Sequence, residues 1–540
     1  MTGDWLNHYD YWVRPHLNYP QRPLHEILST AAVEFGDRPA TMFLGATLTF
    51  RELKIRADRL AAALARRGIA AGDRVGIMLP NCPQYIISAF AILRLGAMVV
   101  NVNPGYTPRE ALGIAADSGM RAIVTLVGLA PLALGLKHTS AVELVVLTSL
   151  EEYSAAPARA GRVDGAETLA DLISDAPAGD LPPADIDPDQ AAVLQYTSGT
   201  TGQPKGAMLT HANLFANVVQ TATFMYASPP DEERYLLVIP LFHIYAFTVG
   251  MLKGLWIGAS QMLMPKYDVE QTLAAIRDFR PTYVPAVPTV FLSLLAHPRV
   301  REFGLDRVRL FNTGGAPCPI ELFARWEAAT GRPLNQGYGL SEASPVTHSS
   351  PLLARRRPGT IGLPVPDTAM KIVDLDTGTR ELPAGETGEL CVAGPQVMKG
   401  YWNRPRETAA VLRADAAGRI WLRTGDIARV DADGFTTIVQ RKDDLIIVDG
   451  FNVYPSEVEA VLAAHPEVRL AAAIGVPDRY HGEVVKAFVV AAPGASAAPE
   501  ELVAHCRARL AAFKVPREIE LRDSLPMNAA GKILYRDLRN

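Results

Sequence analysis

The sequence predicts an α/β fold in which mostly parallel sheets are covered by helices, followed by smaller β-rich and α+β parts. Strand-like and helical segments alternate from residue 48 onward, and parallel strands need such helical crossovers. Apolar residues make up 49% of the 540-residue chain, so a large core is available. A chain of this length holds about three to four domain-sized units.

The first alternating region begins with a helix predicted over residues 48–68. Leu53, Leu60 and Leu64 recur at helical spacing, and Gly68 closes the segment. Apolar runs after it predict strands, and the amphipathic runs between them predict helices. The strands are predicted at residues 74–79, 97–102 and 122–127, and the helices at residues 83–95 and 108–118.

A second alternating region lies beyond residue 190. Residues 236–252 are uncharged at neutral pH, but Pro240 and the short length favour a buried strand, turn and helix over a membrane span. Residues 153–189, rich in Ala, Pro, Gly and Asp, are predicted to run irregularly along the surface. Strands are predicted at residues 235–239, 261–264 and 283–287, and a helix at residues 269–280.

The last third of the chain changes character. Short strands at residues 370–373 and 388–393, separated by Asp and Gly turns, predict a small β-barrel or sheet. A compact α+β segment of about a hundred residues, ordinary for one domain, follows Asp443. We therefore predict an N-terminal domain of residues 1–442, with subregions 1–190, 191–360 and 361–442, and a C-terminal domain of residues 443–540.

Charge and cysteine content exclude several classes of function. The net charge is −4 and there is no basic stripe, so nucleic acid is not an expected partner. The four cysteines lie far apart without a CxxC pair, which argues against a disulfide framework and a zinc site. Residues 1–14 lack the apolar stretch of a signal peptide. We expect a cytoplasmic protein.

Residues 196–206, with the sequence YTSGTTGQPKG, are the most informative segment. Three glycines, three threonines and a serine supply backbone and hydroxyl donors, and Lys205 adds a cation. Such a loop can wrap a polyphosphate. It is not a Walker A loop, because Gly206 rather than Ser or Thr follows the lysine. A solvated linker is the alternative interpretation, which the closing Pro-Lys-Gly order disfavours.

Six further motifs follow this loop in a fixed order. They are Gly314-Gly315-Ala316-Pro317, Tyr338-Gly339-Leu340-Ser341-Glu342, Thr424-Gly425-Asp426, Arg441-Lys442-Asp443-Asp444, Gly450-Phe451-Asn452-Val453-Tyr454-Pro455 and Gly531-Lys532. Together with the loop, they resemble the adenylate-forming superfamily of acyl-CoA synthetases, non-ribosomal peptide adenylation domains and firefly luciferases. The resemblance covers nearly the whole chain.

The resemblance implies a nucleotide site. Gly315 and Tyr338 would sandwich the adenine, since a bare glycine admits a flat ring and a tyrosine offers a stacking face. Asp426 would accept hydrogen bonds from the ribose, helped by Arg441. The implied nucleotide-binding residues are Thr197, Ser198, Gly199, Thr200, Thr201, Gly202, Lys205, Gly315, Ala316, Pro317, Tyr338, Gly339, Asp426 and Arg441.

The resemblance also implies catalytic and metal-binding roles. Glu342, with Thr200, would ligate Mg²⁺ beside the phosphates, because that hard ion prefers oxygen ligands. The Ser341 hydroxyl would reach the α-phosphate. Lys532 would contact the substrate carboxylate and the α-phosphate during adenylation, and His243 would lie near the carboxylate.

In the superfamily, the C-terminal domain swings as a rigid body between two half-reactions. Asp443 stands where the superfamily has its pivot, and a hinge needs only a few residues that absorb a backbone change. Gly450 and Phe451 are the expected CoA contacts, although the neighbouring Asp449 departs from the usual small residue or lysine. Eight residues follow Lys532, which favours free CoA over a fused carrier domain as the acceptor.

The acid substrate is expected to be a medium- or long-chain fatty acid. The predicted acyl pocket contains His243, Phe247 and Gly314, in apolar and aromatic surroundings. In long-chain fatty acyl-CoA synthetases an aromatic residue four positions after the histidine gates the acyl tunnel, and Phe247 holds that position. Aryl-acid or dicarboxylate CoA ligation remains open, as do a luciferase-like enzyme, a stand-alone amino-acid adenylation enzyme and an inactive scaffold.

The expected partners are therefore the small molecules fatty acid, ATP and CoA, with Mg²⁺ as cofactor. Relatives in the superfamily include dimers, so a homodimer is a further expectation. A fatty substrate makes transient membrane contact an expectation as well, although no amphipathic basic helix stands out.

Overall fold

The chain forms two compact units. The large unit comprises Trp5–Ala369 and Ala393–Leu422, and the small unit comprises Met1–Asp4, Met370–Val392 and Arg423–Asn540. The domain boundary between residues 442 and 443 stays a prediction. The computed structural model describes residues 4–176, 185–197, 204–225, 233–449, 451–495, 498–527 and 533–539.

Most of the strands are short, and each strand that the sequence predicts lies within one or two residues of its predicted position. Runs of Val, Ile, Leu and Ala form those at the sheet centres, where both faces are covered. In chain order they are β1 Pro39–Phe43, β2 Ala46–Thr49, β3 Arg74–Met78, β4 Met98–Asn101, β5 Ala122–Leu126, β6 Leu144–Thr148, β7 Glu167–Thr168, β8 Ala191–Thr197, β9 Lys205–Thr210, β10 Arg234–Leu237, β11 Ser260–Leu263, β12 Tyr283–Ala286, β13 Leu310–Thr313, β14 Leu334–Gly339, β15 Val346–Ser349, β16 Leu363–Pro364, β17 Ala369–Val373, β18 Thr387–Ala393, β19 Gly400–Tyr401, β20 Leu412–Ala414, β21 Ile420–Val430, β22 Thr436–Arg441, β23 Ile446–Val448, β24 Phe451–Val453, β25 Val468–Asp478, β26 Gly482–Ala491 and β27 Glu518–Leu521.

Several helices begin at side-chain caps that the sequence encodes. Thr49 and Glu52 form a reciprocal capping box, as do Thr107 and Glu110, and each box satisfies two otherwise unpaired backbone N–H groups. The helices are α1 Glu26–Glu34, α2 Phe50–Arg66, α3 Pro83–Arg94, α4 Pro108–Ser118, α5 Ala130–Thr139, α6 Leu169–Asp175, α7 His211–Phe224, α8 Lys253–Trp256 preceded by a π-helical segment Ala246–Leu252, α9 Val269–Phe279, α10 Pro288–Leu295, α11 Ile320–Thr330, α12 Pro405–Val411, α13 Pro455–Ala463, α14 Pro499–Arg507 and α15 Tyr535–Leu538.

Two large sheets build the large unit, which confirms the predicted pair of helix-covered, mostly parallel sheets. One has the strand order β19-β9-β8-β4-β3-β5-β6-β7, and the other β16-β15-β14-β13-β12-β10-β11-β1-β2. The central pairs of both are parallel. Because the carboxyl ends of parallel strands meet at one edge, the loops after β12, β13 and β14 are neighbours.

For two segments of the large unit, the structure tests a specific prediction from the sequence. Residues 236–252 form the end of β10, a turn and the π-helical segment, and none of the described helices is long and apolar enough to cross a membrane. The prediction of an irregular segment at residues 153–189 is wrong in part. Thr168 caps α6, which buries Leu169, Leu172 and Ile173, so a short amphipathic pattern was overlooked.

The small unit contains two groups of strands. In the first, β21 pairs antiparallel with β22, in the sheet that also contains β17 and β18. In the second, β24, β23, β26 and β25 follow in order, and β27 joins β26 in parallel. Helices α13 and α14 cover one face of this second sheet through a core that includes Ile446, Leu462 and Leu502. The predicted C-terminal α+β architecture is therefore present.

Candidate active site

The predicted phosphate loop connects two paired strands. Tyr196 pairs with Gly206 and Thr197 pairs with Lys205 across the antiparallel β8–β9 ladder. The Thr197 hydroxyl also lies 3.5 Å from the Lys205 carbonyl oxygen. Both ends of the loop are therefore fixed by backbone pairing. Ser198, Gly199, Thr200, Thr201 and Gly202 lie outside the described residues.

Side chains anchor the base of this loop on neighbouring elements. The Tyr196 hydroxyl donates to Asp117 at 2.7 Å, and Arg404 forms an ion pair with the other oxygen of that carboxylate at 2.8 Å. Burial, followed by the hydrogen bond to Asp117, raises the pKa of Tyr196. A Cβ on Gly206 would lie 3.1 Å from the Tyr196 ring, so glycine suits this close approach.

Tyr401 joins two of the predicted site residues. Its hydroxyl donates to Glu342 Oε1 at 2.8 Å, and Lys205 Nζ lies 5.5 Å from the centre of its ring. The backbone N–H of Met398 donates to the Glu342 carbonyl at 2.8 Å, which fixes the same turn. One aromatic side chain thus brings the cation at the end of the phosphate loop close to the predicted metal ligand. No local pattern around Tyr401 indicates this role.

Ser341 and Glu342 lie in a 3₁₀ turn, Ser341–Ala343, directly after β14. Both side chains are half-buried, so they can reach a ligand while remaining positioned by the protein. The preceding Gly339 is required by packing, since a Cβ there would lie 2.2 Å from the Pro345 carbonyl oxygen. A larger residue at this position would displace the turn that presents Ser341 and Glu342.

The predicted adenine site lies at the carboxyl ends of adjacent parallel strands. Thr313 of β13 pairs with Gln336 of β14, so Gly315 and Tyr338 are each two residues beyond a paired position. Gly315 has φ +78° and is exposed, and Tyr338 is half-buried with its ring 6.0 Å from that of His348. The register therefore brings this predicted pair together. Ala316 and Pro317 continue the same loop, and Pro317 is exposed.

Two of the three predicted acyl-pocket residues, His243 and Gly314, lie against Tyr245, and the third, Phe247, is hydrogen-bonded to His243 through the backbone. His243 Nδ1 accepts from the Tyr245 backbone N–H at 3.2 Å, and a Cβ on Gly314 would lie 3.6 Å from the Tyr245 ring. The Tyr245 hydroxyl is held by Asn312, whose side-chain amide donates to it at 2.7 Å. The backbone N–H of Phe247 donates to the His243 carbonyl at 3.0 Å. Tyr245 and Asn312 were missed at the sequence level.

Phe247 is fully buried at the start of the π-helical segment. Its ring meets that of Tyr85 edge-on, with the centroids 6.5 Å apart. Tyr85 in turn hydrogen-bonds Asn101, whose amide donates to Gln195 at 2.9 Å. A polar chain therefore connects the wall beside Phe247 to β8, the strand that leads into the phosphate loop.

A second buried group in this region was also missed. Lys253 is 2% exposed, and its Nζ lies 4.1 Å from the ring centre of Tyr283 and 5.2 Å from that of Tyr235. Burial lowers the pKa of Lys253 to about 7, partly offset by the negative charge of Glu233. Cation–π attraction to these two rings and a 3.7 Å contact with Met225 Sδ add to the effect of Glu233 in stabilising its charged form. The only sequence signal is a lone lysine in an apolar run.

The predicted ribose-binding pair is assembled within the small unit. Asp426 and Arg441 are cross-strand neighbours on β21 and β22, and Arg441 Nε lies 3.1 Å from Asp426 Oδ1. Thr424 supports both, since its hydroxyl accepts from the Asp426 N–H at 3.0 Å and its carbonyl accepts from Arg441 at 3.1 Å. The Asp426 carboxylate is largely buried, and the Arg441 guanidinium that pairs with it is partly exposed. This ion pair holds the carboxylate oxygens, which are hydrogen-bond acceptors, in a fixed orientation.

The predicted hinge and CoA residues also belong to the small unit. Asp443 is exposed in the short turn Lys442–Asp444. Phe451 is 58% exposed and stacks on Phe513, with the ring centroids 5.0 Å apart. Gly450 and Lys532 lie outside the described residues.

Comparison with known sequence families gives two matches. The AMP-binding enzyme family matches residues 28–402, and the AMP-binding enzyme C-terminal domain matches residues 457–532. The chain belongs to the AMP-binding enzyme family. The predicted resemblance to adenylate-forming enzymes is thereby confirmed.

Individual relatives align with this AMP-binding enzyme over nearly its whole length. The long-chain-fatty-acid–CoA ligase of Bacillus subtilis (strain 168) is 42% identical over 549 aligned residues, covering 99% of this chain and 97% of that protein. A protein of the same name from Escherichia coli O6:H1 is 39% identical, covering 100% of this chain and 98% of that protein.

A solved structure supports the same fold for this AMP-binding enzyme. ATP-bound MatB from Rhodopseudomonas palustris superimposes with a TM-score of 0.86 at 29% identity, covering 95% of this chain and 98% of that chain. The fold is therefore that of the adenylate-forming enzymes. The roles of the individual site residues stay predictions.

Proposed function

We propose that this AMP-binding enzyme is an ATP-dependent fatty acyl-CoA ligase that prefers medium- to long-chain acids. The observation that carries the proposal is similarity along the full chain, at 42% and 39% identity, to two relatives named long-chain-fatty-acid–CoA ligase. The reaction has two steps. A fatty acid and ATP give acyl-AMP and pyrophosphate, and acyl-AMP and CoA then give acyl-CoA and AMP.

In the first step, a carboxylate oxygen attacks the α-phosphorus of ATP and pyrophosphate leaves. This brings two anions together, so the site must supply positive charge and oriented donors. We propose that Lys205 and the loop before it bind the leaving phosphates, and that Lys532 offsets charge between the carboxylate and the α-phosphate. Ser341 would donate its hydroxyl to the same phosphate. Asp426 and Arg441 would hold the ribose.

The residues present fit Mg²⁺ as a cofactor that arrives with ATP. Mg²⁺ keeps several waters and takes only one or two protein carboxylates when it binds with phosphates. Glu342 supplies one carboxylate, oriented by Tyr401 at 2.8 Å. No group of three or more His, Cys, Asp or Glu able to hold a metal occurs in the part of the chain that the structure describes. Glu342, with Thr200, would hold the ion, and its charge would offset that of the phosphates.

In the second step, the CoA sulfur attacks the acyl carbonyl carbon, the bond from that carbon to the AMP oxygen breaks, and the thiol proton leaves to solvent. We propose that rotation about Asp443 exchanges the groups that face the acyl-AMP between the steps. Gly450 and Phe451 would then meet the CoA arm. The exposed, stacked aromatic face of Phe451 is suited to an apolar part of that arm.

The preference for an alkyl acid is argued from the surroundings of Tyr245. Tyr245 is 6% exposed and lies 3.6 Å from the Cβ position of Gly314, and Phe247, two residues later, is fully buried, so the surroundings of Gly314 are aromatic and buried. Such a lining favours an apolar acyl chain over an acid with a second charge. His243 would lie at the carboxylate end of that chain.

A panel of acids tests this proposal most cheaply. Purified protein with ATP, Mg²⁺ and CoA is mixed with octanoate, dodecanoate, hexadecanoate, a hydroxycinnamate, benzoate and a dicarboxylate. Pyrophosphate release and acyl-CoA formation should be fastest with the alkyl acids. A hydroxycinnamate or a dicarboxylate as the best substrate would replace the fatty-acid assignment, and no turnover with any acid would indicate an inactive scaffold.

Lys532→Ala separates the two steps within the same assay. The variant should lose acyl-AMP formation but still convert supplied acyl-AMP and CoA to acyl-CoA, because the lysine acts only in adenylation. ATP–pyrophosphate exchange at the wild-type rate in this variant would rule out the role of Lys532.

We also propose a cytoplasmic location, a homodimer and transient membrane contact. The last follows from the substrate, since a long-chain acid partitions into bilayers. Co-flotation with lipid vesicles, with and without bound fatty acid, tests membrane contact, and light scattering tests the homodimer. Absence of the protein from the floated vesicle fraction would contradict membrane contact. A monomer mass in light scattering would contradict the homodimer.

A further inference from the structure

The chain segments on either side of residues 528–532 are paired with each other. Met527 and Ile533 form an antiparallel bridge, and the Leu534 N–H donates to the Pro526 carbonyl at 2.9 Å. Lys532 directly precedes Ile533 in the sequence. The backbone immediately after the proposed catalytic lysine is therefore held in place by backbone hydrogen bonding.

Two side chains of the following helix α15 hold it against the sheet. Leu538 is 4% exposed and packs in an apolar cluster with Phe488. The Tyr535 hydroxyl donates to Glu459 at 3.1 Å, and the other oxygen of Glu459 accepts from the Ala473 N–H at 2.8 Å. These contacts bind the C-terminal segment to α13, β25 and β26 at both ends of α15.

The last described residue extends this attachment to the proposed hinge. Arg539 Nη2 lies 3.3 Å from Asp444 Oδ1 and 3.4 Å from the carbonyl oxygen of Asp443. Asp444 is only 18% exposed, so its carboxylate is already partly ordered. One guanidinium thus contacts the backbone of the pivot residue and the side chain next to it, across 96 residues of sequence from Asp443.

We propose that Arg539 is a positioning residue for the adenylation step. Its guanidinium ties the segment after Lys532 to the hinge at Asp443 and Asp444, so that rotation at the hinge carries this segment with it. The inference rests on the proposed function, because it needs Lys532 and Asp443 to have the roles given above. Nothing in the sequence motifs assigns a role to Arg539.

The alternative interpretation is that the ion pair only adds stability. An exposed ion pair contributes little to folding, and a helix as short as α15 is stable only through its packing. Loss of the pair should then affect both half-reactions equally or neither. A positioning role predicts an unequal effect, because only adenylation uses Lys532.

The test measures the two half-reactions in Arg539→Ala with dodecanoate. ATP–pyrophosphate exchange should fall about fivefold, which is the upper range for an exposed ion pair. Conversion of supplied dodecanoyl-AMP and CoA to the thioester should stay within about twofold of wild type. Asp444→Asn should reproduce this imbalance, and the charge-swapped pair Arg539→Asp with Asp444→Arg should recover much of the exchange.

The matched control is Arg536→Ala on the same helix. Arg536 is exposed and pairs only with its neighbour Asp537 at 3.6 Å among the residues described, so both half-reactions should be unchanged. Equal loss of both half-reactions in Arg539→Ala, or exchange unaffected by it, would overturn the proposal. Arg539→Gln, which keeps a side chain of similar length but removes the charge, provides the same comparison if the alanine variant does not fold. Absence of exchange in the wild-type protein would instead contradict the proposed function.

Discussion

Replacing Lys253 with methionine should stabilise the protein in a pH-dependent way. The ammonium group is 2% exposed, and burial lowers the pKa of Lys253 from its ordinary 10.5 to about 7. That depression corresponds to about 5 kcal/mol of unfavourable free energy at and below neutral pH. Methionine keeps an apolar stem of similar length and removes the ionisable group. The pKa shift already includes the contacts of the charged form, so the full difference is the expected gain where the lysine is charged.

The sign of the pH effect follows from proton binding. Between about pH 7 and pH 10.5 the unfolded chain holds a proton on Lys253 that the folded protein does not. The unfolding free energy of the wild type therefore rises with pH across this window, by about 1.4 kcal/mol per pH unit. The advantage of Lys253→Met should be largest near pH 7 and should shrink by about 3 kcal/mol at about pH 9.

The assay is the difference in thermal midpoint between variant and wild type at these two pH values. The large unit has about 400 residues, so about 1 kcal/mol corresponds to about 1.2 °C. We expect a gain of about 5–6 °C near pH 7 that falls by about 3 °C near pH 9. Lys266→Met, at an exposed lysine of the same unit, is the control and should show no such trend. A loss of stability that is the same at both pH values would refute the reasoning.

Three further predictions concern the site. Tyr401→Phe removes the hydroxyl that donates to Glu342 at 2.8 Å but keeps the ring near Lys205. The KM for MgATP should therefore rise about tenfold with little change in thermal midpoint. An unchanged KM would show that Glu342 needs no such support. Phe247→Ala should cost about 3–5 kcal/mol of stability and shift the acid preference toward bulkier acids. Phe291 is also fully buried, so Phe291→Ala should cost as much stability without changing the acid preference. An identical acid profile in both variants would remove Phe247 from the pocket. Asp426→Asn weakens the 3.1 Å ion pair with Arg441 and should raise the KM for ATP in pyrophosphate exchange about tenfold, while the KM for the acid stays unchanged. An equal rise in the KM of both substrates would argue against ribose binding by Asp426.

The regular elements could be predicted because their signals are local. Helix α4 occupies the predicted residues 108–118, since Thr107 and Glu110 form a capping box and Gly119 ends the helix with φ +59°. The strands of the parallel sheets are apolar runs between such helices. Helix α6 was missed because its pattern is only seven residues long and is flanked by a segment of loop-like composition.

The site residues were found through motif order, but their connections could not be read from the sequence. Tyr401 is 59 residues from Glu342, and only the pairing of β19 with β9 brings it beside the phosphate loop. The burial of Lys253 depends on Tyr235 and Tyr283 being neighbours in register, which is a tertiary feature. Side-chain roles set by sheet register lie beyond what periodicity or motif spacing can show.

The central claim is that a carboxylic acid is activated by transfer of AMP to one of its oxygens. Dodecanoate labelled with oxygen-18 in its carboxylate tests this directly, with ATP, Mg²⁺ and CoA present and the products analysed by mass spectrometry. Attack on the α-phosphorus followed by thioester formation leaves one labelled oxygen in the released AMP. Unlabelled AMP, or ADP with the label in free phosphate, would contradict the account.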